Sequence, residues 1–127
     1  MTGRAIWLMA SLFLAHFLGD FTRLSTKRMQ KAKATGRPVG PILAHGAVHG
    51  FLVGVAVAAV AWPGTSVLIA AVGLEFVTHF GIDWIRGRLG DGWLNLSSPE
   101  SPAFWTALGL DQLAHYLVLL WIAALVF

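Results

Sequence analysis

Hydrophobic residues fall into four long runs along the chain, and short polar stretches separate them. The runs cover about residues 5–23, 42–62, 65–86 and 104–126. Each is close to the roughly 20 residues that a helix needs to cross about 30 Å of hydrocarbon. The pattern therefore predicts an all-α polytopic membrane protein with four transmembrane helices, joined by loops at about 24–41 and 87–103.

The connections between the runs indicate how the helices are arranged. Residues 62–65 are Trp-Pro-Gly-Thr, a tight-turn sequence that makes the second and third runs an antiparallel hairpin. The stretch after the first run begins as a short basic helix, which Gly36 and Pro38 then stop. At this length we expect one domain over residues 1–127, an antiparallel four-helix bundle.

The first run also resembles a signal peptide. It carries His16 and Asp20, however, and no small-x-small cleavage site lies at its end. We therefore expect it to be retained as a membrane span.

Composition strengthens the membrane interpretation. Hydrophobic residues make up 57% of the chain and charged residues only 12%, and the mean hydropathy is +0.71. These values lie far from those of soluble domains. The chain has no cysteine, which excludes disulfides, thiolate metal ligands and cysteine nucleophiles.

Basic residues predict the orientation. The connection after the first run contains six of them and no acid: Arg23, Lys27, Arg28, Lys31, Lys33 and Arg37. Arg86 and Arg88 follow the third run, and only Arg4 lies on the other side. The positive-inside rule therefore predicts cytoplasmic loops, with the N-terminus and the C-terminus both outside.

Ionisable residues recur at four-residue spacing inside the apolar runs. They are His16 and Asp20, then His45 and His49, then Glu75, His79 and Asp83, and finally Asp111 and His115. This spacing places side chains on one helix face, a turn apart. With the predicted orientation, all four polar faces lie in the cytoplasmic half of the bilayer. A charge at mid-membrane costs about 2.5–3.5 kcal/mol, so these groups must pair with one another or bind a cation.

Imidazole and carboxylate together are ligands for zinc, iron or manganese. We predict a divalent transition metal, with zinc preferred, and eight candidate ligands: His16, Asp20, His45, His49, His79, Asp83, Asp111 and His115. Glu75 is the deepest carboxylate and a candidate general base or bridging ligand. Nine such groups exceed one tetrahedral site, so the count fits two ions, or one ion with residues that hold its ligands.

Three other interpretations use the same residue types. They are a structural hydrogen-bond network, haem ligation and a proton or ion pathway. The carboxylate beside nearly every histidine argues against haem. The outer halves, such as residues 53–61 and 117–127, contain no ionisable residue, which disfavours a path through one monomer.

Two further features have a structural and a functional interpretation. Gly46, Gly50 and Gly54 form a small-xxx-small run, for which we favour close helix packing. The basic stretch at 23–37 is either an orientation signal alone or a surface that attracts anionic lipid or a phosphoester substrate.

The polar motifs also resemble those of a known family. His16-Phe-Leu-Gly-Asp20-Phe, His45-x3-His49, His79-Phe-Gly-Ile-Asp83-Trp and Asp111-Gln112-x2-His115 are similar, in the same order, to motifs of the bacterial membrane family catalogued as domain of unknown function 3307. That family is similar to small membrane proteins described as metal-dependent hydrolases, which are thought distantly akin to zinc-dependent phospholipase C. The resemblance implies a hydrolase by analogy and a place in the bacterial inner membrane.

The leading hypothesis is thus a metal-dependent hydrolase that acts from the cytoplasmic side on a membrane-associated, lipid-like phosphoester. A divalent-metal or proton transporter, and a membrane protein with a structural metal or polar centre, stay as alternatives. We expect the lipid bilayer as a partner and no nucleic acid. Whether the protein forms a homo-oligomer is left open.

Overall fold

The fold is all-α, as predicted. A computed structural model describes residues 3–90, 96 and 98–127, and it contains no strand within these residues. Its helices are α1 (Gly3–Phe21), α2 (Lys27–Thr35), α3 (Val39–Val60), α4 (Thr65–Gly90) and α5 (Pro102–Val126). Of these, α1, α3, α4 and α5 are long and apolar enough to cross a membrane. Residues 91–95 and 97 of the predicted second loop lie outside the described part of the chain.

Local signals in the sequence set the helix ends. The Thr26 side chain caps α2 by accepting a hydrogen bond from the Met29 amide at 3.3 Å. Gly36 ends α2 with a left-handed φ of 70°, so the short basic helix is confirmed. Between α3 and α4, Trp62 and Gly64 both have positive φ and form the predicted turn of the hairpin.

The four long helices form a closed bundle. Helix α3 packs against α1 and α4, and α5 packs against α4 and α1. Helix α2 lies against α3 and α4. Each long helix therefore has a neighbour on both sides, and the buried stripes of all four face a common interior.

The side chains in the interior change from apolar to polar along the bundle. At one end it is apolar, with a buried cluster made of Leu8, Leu12, Val53, Ala56, Val57, Ala71, Leu119 and Ile122. We call this cluster the apolar layer. At the other end the same helix stripes continue with histidines and carboxylates. The outer surface remains apolar, with Trp7 and Phe51 about 70% exposed, which suits contact with lipid.

Glycines bring α3 close to α4. A Cβ atom at Gly46 would lie 3.2 Å from the Phe76 carbonyl oxygen, and one at Gly50 would lie 3.2 Å from the Val72 carbonyl oxygen. At Gly54 it would lie 2.9 Å from the Val72 side chain. The predicted role of this glycine run in close packing is confirmed.

Candidate metal centre

The structure brings the nine predicted polar side chains together at one end of the bundle. His45 and His79 are fully buried, and eight of the nine residues have a relative exposure of 7% or less. The ninth, Asp20, is partly buried, and its side chain is 5% exposed. Eight of the nine belong to groups whose ligand atoms all lie within 4.8 Å of one another. These groups are His16, His49, Glu75 and His79; Asp20, His45, His49 and His79; and His79, Asp83 and His115.

His79 lies at the middle of this centre and belongs to all three groups. Its ring stacks on that of His49, with centroids 3.5 Å apart, and lies 4.1 Å from that of His115. Its Nε2 is 3.5 Å from Asp83 Oδ2 and 3.9 Å from Asp20 Oδ1. One imidazole nitrogen from α4 thus faces carboxylates of both α1 and α4.

Spacings around Asp20 resemble those of a coordination shell. Its Oδ1 lies 2.9 Å from His45 Nε2, 3.4 Å from His49 Nε2 and 3.9 Å from His79 Nε2. Zinc binds such atoms at about 2.0–2.2 Å, which places two ligands of a tetrahedral site about 3.4 Å apart. The donor set and its spacing therefore fit a transition-metal ion.

Several ring nitrogens in the centre lack hydrogen bonds. Within the described residues, Nε2 of His49, His79 and His115 is buried and has no hydrogen-bond partner. Buried polar atoms are normally paired, because desolvation without a partner costs free energy. A metal ion would bind these nitrogens through their lone pairs.

Glu75 lies next to the Nδ1 atoms of His79 and His49. Its Oε1 is 3.1 Å from His79 Nδ1 and 3.8 Å from His49 Nδ1. When His79 Nδ1–H donates to this carboxylate, Nε2 is left as the acceptor that faces Asp20 and Asp83. Carboxylates commonly orient ligating histidines in this way.

Asp111 lies at the rim and outside the three groups. Its Oδ1 is 3.9 Å from both His115 Nε2 and Arg86 Nε. Gln112, which the motif contains but the predicted ligand set omits, donates to Asp111 Oδ2 at 3.1 Å. The Gln112 Oε1 atom is 3.1 Å from His16 Nε2. Because its amide is neutral, Gln112 does not belong to the pattern of ionisable residues in the sequence.

Lys33, like Gln112, is a residue of the centre that the sequence did not predict. Its Nζ lies 2.9 Å from Asp20 Oδ1, 3.1 Å from Asp83 Oδ1 and 3.1 Å from His45 Nε2. Burial lowers the pKa of Lys33, but the two carboxylates raise it by more, so its pKa lies above the usual value and the amine is charged. A lysine of the basic connection therefore reaches into the centre.

The charges around the centre do not balance. Among the described residues, the carboxylates of Asp20, Glu75, Asp83 and Asp111 face two cationic side chains, those of Lys33 and Arg86. Two negative charges remain unmatched when the carboxylates are ionised and the histidines neutral. One divalent cation would neutralise them, which supports the same conclusion as the free ring nitrogens.

Two glycines leave room for the centre. A Cβ atom at Gly19 would overlap the ring of His49, so glycine here lets that ring enter. A Cβ atom at Gly87 would overlap the backbone of Lys33 and Gly36, so glycine here lets α2 lie against α4. The position of Lys33 thus depends on a backbone contact.

Fold and site together define a multi-pass helical membrane protein with a buried cluster of histidines and carboxylates that can bind metal. The chain belongs to the family of proteins of unknown function DUF3307, whose sequence model matches residues 8–127. The resemblance predicted from the motifs is confirmed. No curated protein and no solved structure matches the chain.

Lys33→Met is expected to tighten metal binding by about tenfold or more, because the ammonium competes with a cation for the same carboxylates. Zinc titration of the purified protein, with the dissociation constant as the readout, measures the effect. Lys31→Met is the matched control, since Lys31 lies exposed on the same helix. Weaker binding by Lys33→Met would instead show that Lys33 holds the ligands in place.

Proposed function

We propose that this protein is a metal-dependent hydrolase that cleaves an amphiphilic phosphoester at the cytoplasmic face of the bacterial inner membrane. One observation carries the proposal. Imidazole nitrogens and carboxylate oxygens from four apolar helices face one another within a few ångströms, and several of the nitrogens have no hydrogen-bond partner among the described residues. The DUF3307 family itself supplies no function.

The ligand set supports zinc first, with iron or manganese as alternatives. In this proposal His16, Asp20, His45, His49, His79, Asp83 and His115 hold one or two ions, and Asp111 completes the set at the rim. When bound, such an ion supplies Lewis-acid activation of a water molecule and of a phosphoryl oxygen.

Glu75 is the residue that we assign as general base. Its carboxylate is 98% buried, adjoins the ring nitrogens of His79 and His49, and lies outside the ion pairs of Lys33. It is therefore placed to accept a proton from a water molecule in the centre. The same carboxylate orients His79, so the two roles share one side chain.

A polar cavity of 210 Å³ leads to the centre and supports a phosphate-bearing substrate. Asp20, Lys33, Arg86, Asp111 and Gln112 are among its lining residues. Lysine and arginine side chains bind phosphate groups through charge and hydrogen bonds. We name this space the polar cavity.

The apolar layer argues against transport. Leu8, Leu12, Val53, Val57, Leu119 and Ile122 are almost completely buried and fill the interior beyond the centre. An ion crossing this layer would meet no polar side chain there, which is costly in a low-dielectric interior. Access from one side only suits an enzyme better than a carrier.

In our proposal the centre opens towards the cytoplasm and both chain termini lie outside. The basic residues support this, because six of them lie in or beside α2, which covers the polar end of the bundle. The exposed apolar surface supports the bilayer as the partner of all four long helices.

Purified protein is expected to retain at least about one equivalent of a transition metal, measured by elemental analysis in buffer free of chelators. His79→Ala should lose this metal, because His79 belongs to every candidate ligand group. Thr78→Ala is the matched control, since among the described residues the Thr78 hydroxyl donates only to carbonyl oxygens of its own helix, those of Leu74 and Glu75. Less than about half an equivalent in the unmodified protein would rule out the metal.

Glu75→Gln is expected to keep the metal and to lower kcat for phosphoester hydrolysis by about a hundredfold or more. The amide oxygen still accepts a hydrogen bond from His79, but it no longer takes a proton. Hydrolysis of an alkyl phosphate panel and metal content are measured on the same sample. Full activity with normal metal content would show that Glu75 is not the general base.

Single-cysteine variants test the orientation, because the natural chain has no cysteine. Lys27→Cys at the start of α2 and Thr65→Cys at the α3–α4 turn both place the thiol at an exposed position. In spheroplasts, a membrane-impermeant maleimide should label Thr65→Cys but label Lys27→Cys only after permeabilisation. The reverse pattern would invert the topology.

A further inference from the structure

An apolar groove runs between α4 and α5 on the outside of the bundle. Its volume is 660 Å³, within the range of about 300–1,000 Å³ that is usual for small-molecule sites. Most of its lining is apolar: Ile82, Ile85, Leu89, Ala107, Leu110 and Ala114. Leu89 and Leu110 are more than half exposed, so the groove is open on the outer surface of the bundle.

The groove meets the polar cavity at two side chains. Arg86 and Asp111 line both spaces. Lys33 lines the polar cavity and also contacts Asp20 and Asp83 of the centre. A molecule that lies in the groove can therefore reach the candidate metal centre with one end.

In the described part of the chain, Arg86 presents an unpaired hydrogen-bond donor at this junction. Its Nε is buried and has no hydrogen-bond partner within the described residues. The nearest carboxylate oxygen, Asp111 Oδ1, is 3.9 Å away, which is longer than a hydrogen bond. Guanidinium groups bind phosphate oxygens well, so an anionic group at this point would pair with Arg86.

We propose that the substrate is an anionic amphiphile whose hydrocarbon chain lies in the α4–α5 groove while its phosphate binds Arg86 and Lys33. This inference rests on the proposed function for the cleavage step, but binding of the amphiphile is independent of it. Lipid tails compete for any apolar surface in a bilayer, so the groove alone gives little selectivity. The cationic pair at its end selects the phosphate, and the groove sets the direction of the chain.

Photo-crosslinking in phosphatidylcholine nanodiscs tests the proposal. The probe is a long-chain alkyl phosphate with a diazirine near the end of its chain, and labelled residues are located by mass spectrometry. We expect labelling at residues 82–89 and 103–114, suppressed by excess dodecyl phosphate but not by dodecyltrimethylammonium. Even labelling of all four long helices, or equal suppression by the cationic amphiphile, would overturn the proposal.

Inorganic phosphate distinguishes a lipid phosphate from a free one. At the same concentration it should suppress labelling much less than dodecyl phosphate does. Equal suppression by inorganic phosphate would identify a site for free phosphate and would overturn the assignment of the chain to the groove.

Two variants of α5 provide a matched comparison. Ala107→Trp fills the groove and should weaken dodecyl phosphate competition by about tenfold or more, with metal content unchanged. Ala124→Trp places the same side chain at an exposed site on the far part of α5 and should have no effect. Equal behaviour of the two variants would overturn the proposal.

Arg86→Gln should reduce the preference for dodecyl phosphate over dodecyltrimethylammonium by about tenfold. An unchanged preference would show that Arg86 does not bind the phosphate and would overturn that part of the proposal.

Labelling of the groove in a protein without metal would reject the hydrolase but support the amphiphile site. Uniform labelling of a protein that binds metal and hydrolyses phosphoesters would reject the site alone.

Discussion

Burial of ionisable groups between apolar helices is the constraint on which this structure depends. Carboxylates cannot leave water for the interior of a bundle unless other groups compensate their charge and accept or donate hydrogen bonds. Here the compensating charges come from Lys33 of α2 and Arg86 of α4, which face acids of α1, α4 and α5, so four of the five helices take part. The centre is therefore a tertiary feature that exists only when the bundle is closed.

The apolar layer and the glycine contacts provide the rigidity that such a centre needs. Close approach of α3 and α4 at Gly46 and Gly50 occurs directly beside His45 and His49. The histidines of α3 are thereby held against His79 of α4, with stacked rings at 3.5 Å. Ligand geometry is thus fixed by backbone packing rather than by flexible side chains, which favours a preorganised site.

Much of the fold and of the site could be predicted from the sequence, because both depend on periodicity. Four apolar runs gave four spans, and four-residue spacing placed His79 on one face with Glu75 and Asp83. Lys33 could not be found in this way, since a lysine in a basic connection has the same signal whether it faces water or folds inward. Gln112 is neutral, so the pattern of ionisable residues did not predict its contacts with His16 and Asp111, although it stands in the motif next to Asp111.

Helix α2 packs directly against α4. At Gly87 the absence of a side chain lets the backbone of Lys33 and Gly36 touch α4 directly. Glu75, His79 and Asp83 lie on that same helix. Helix α4 therefore provides three residues of the centre and also supports α2, which covers the centre. A sliding or rotation of α4 would thus change the ligand geometry and the access to the centre in a single movement, so the two properties are mechanically coupled.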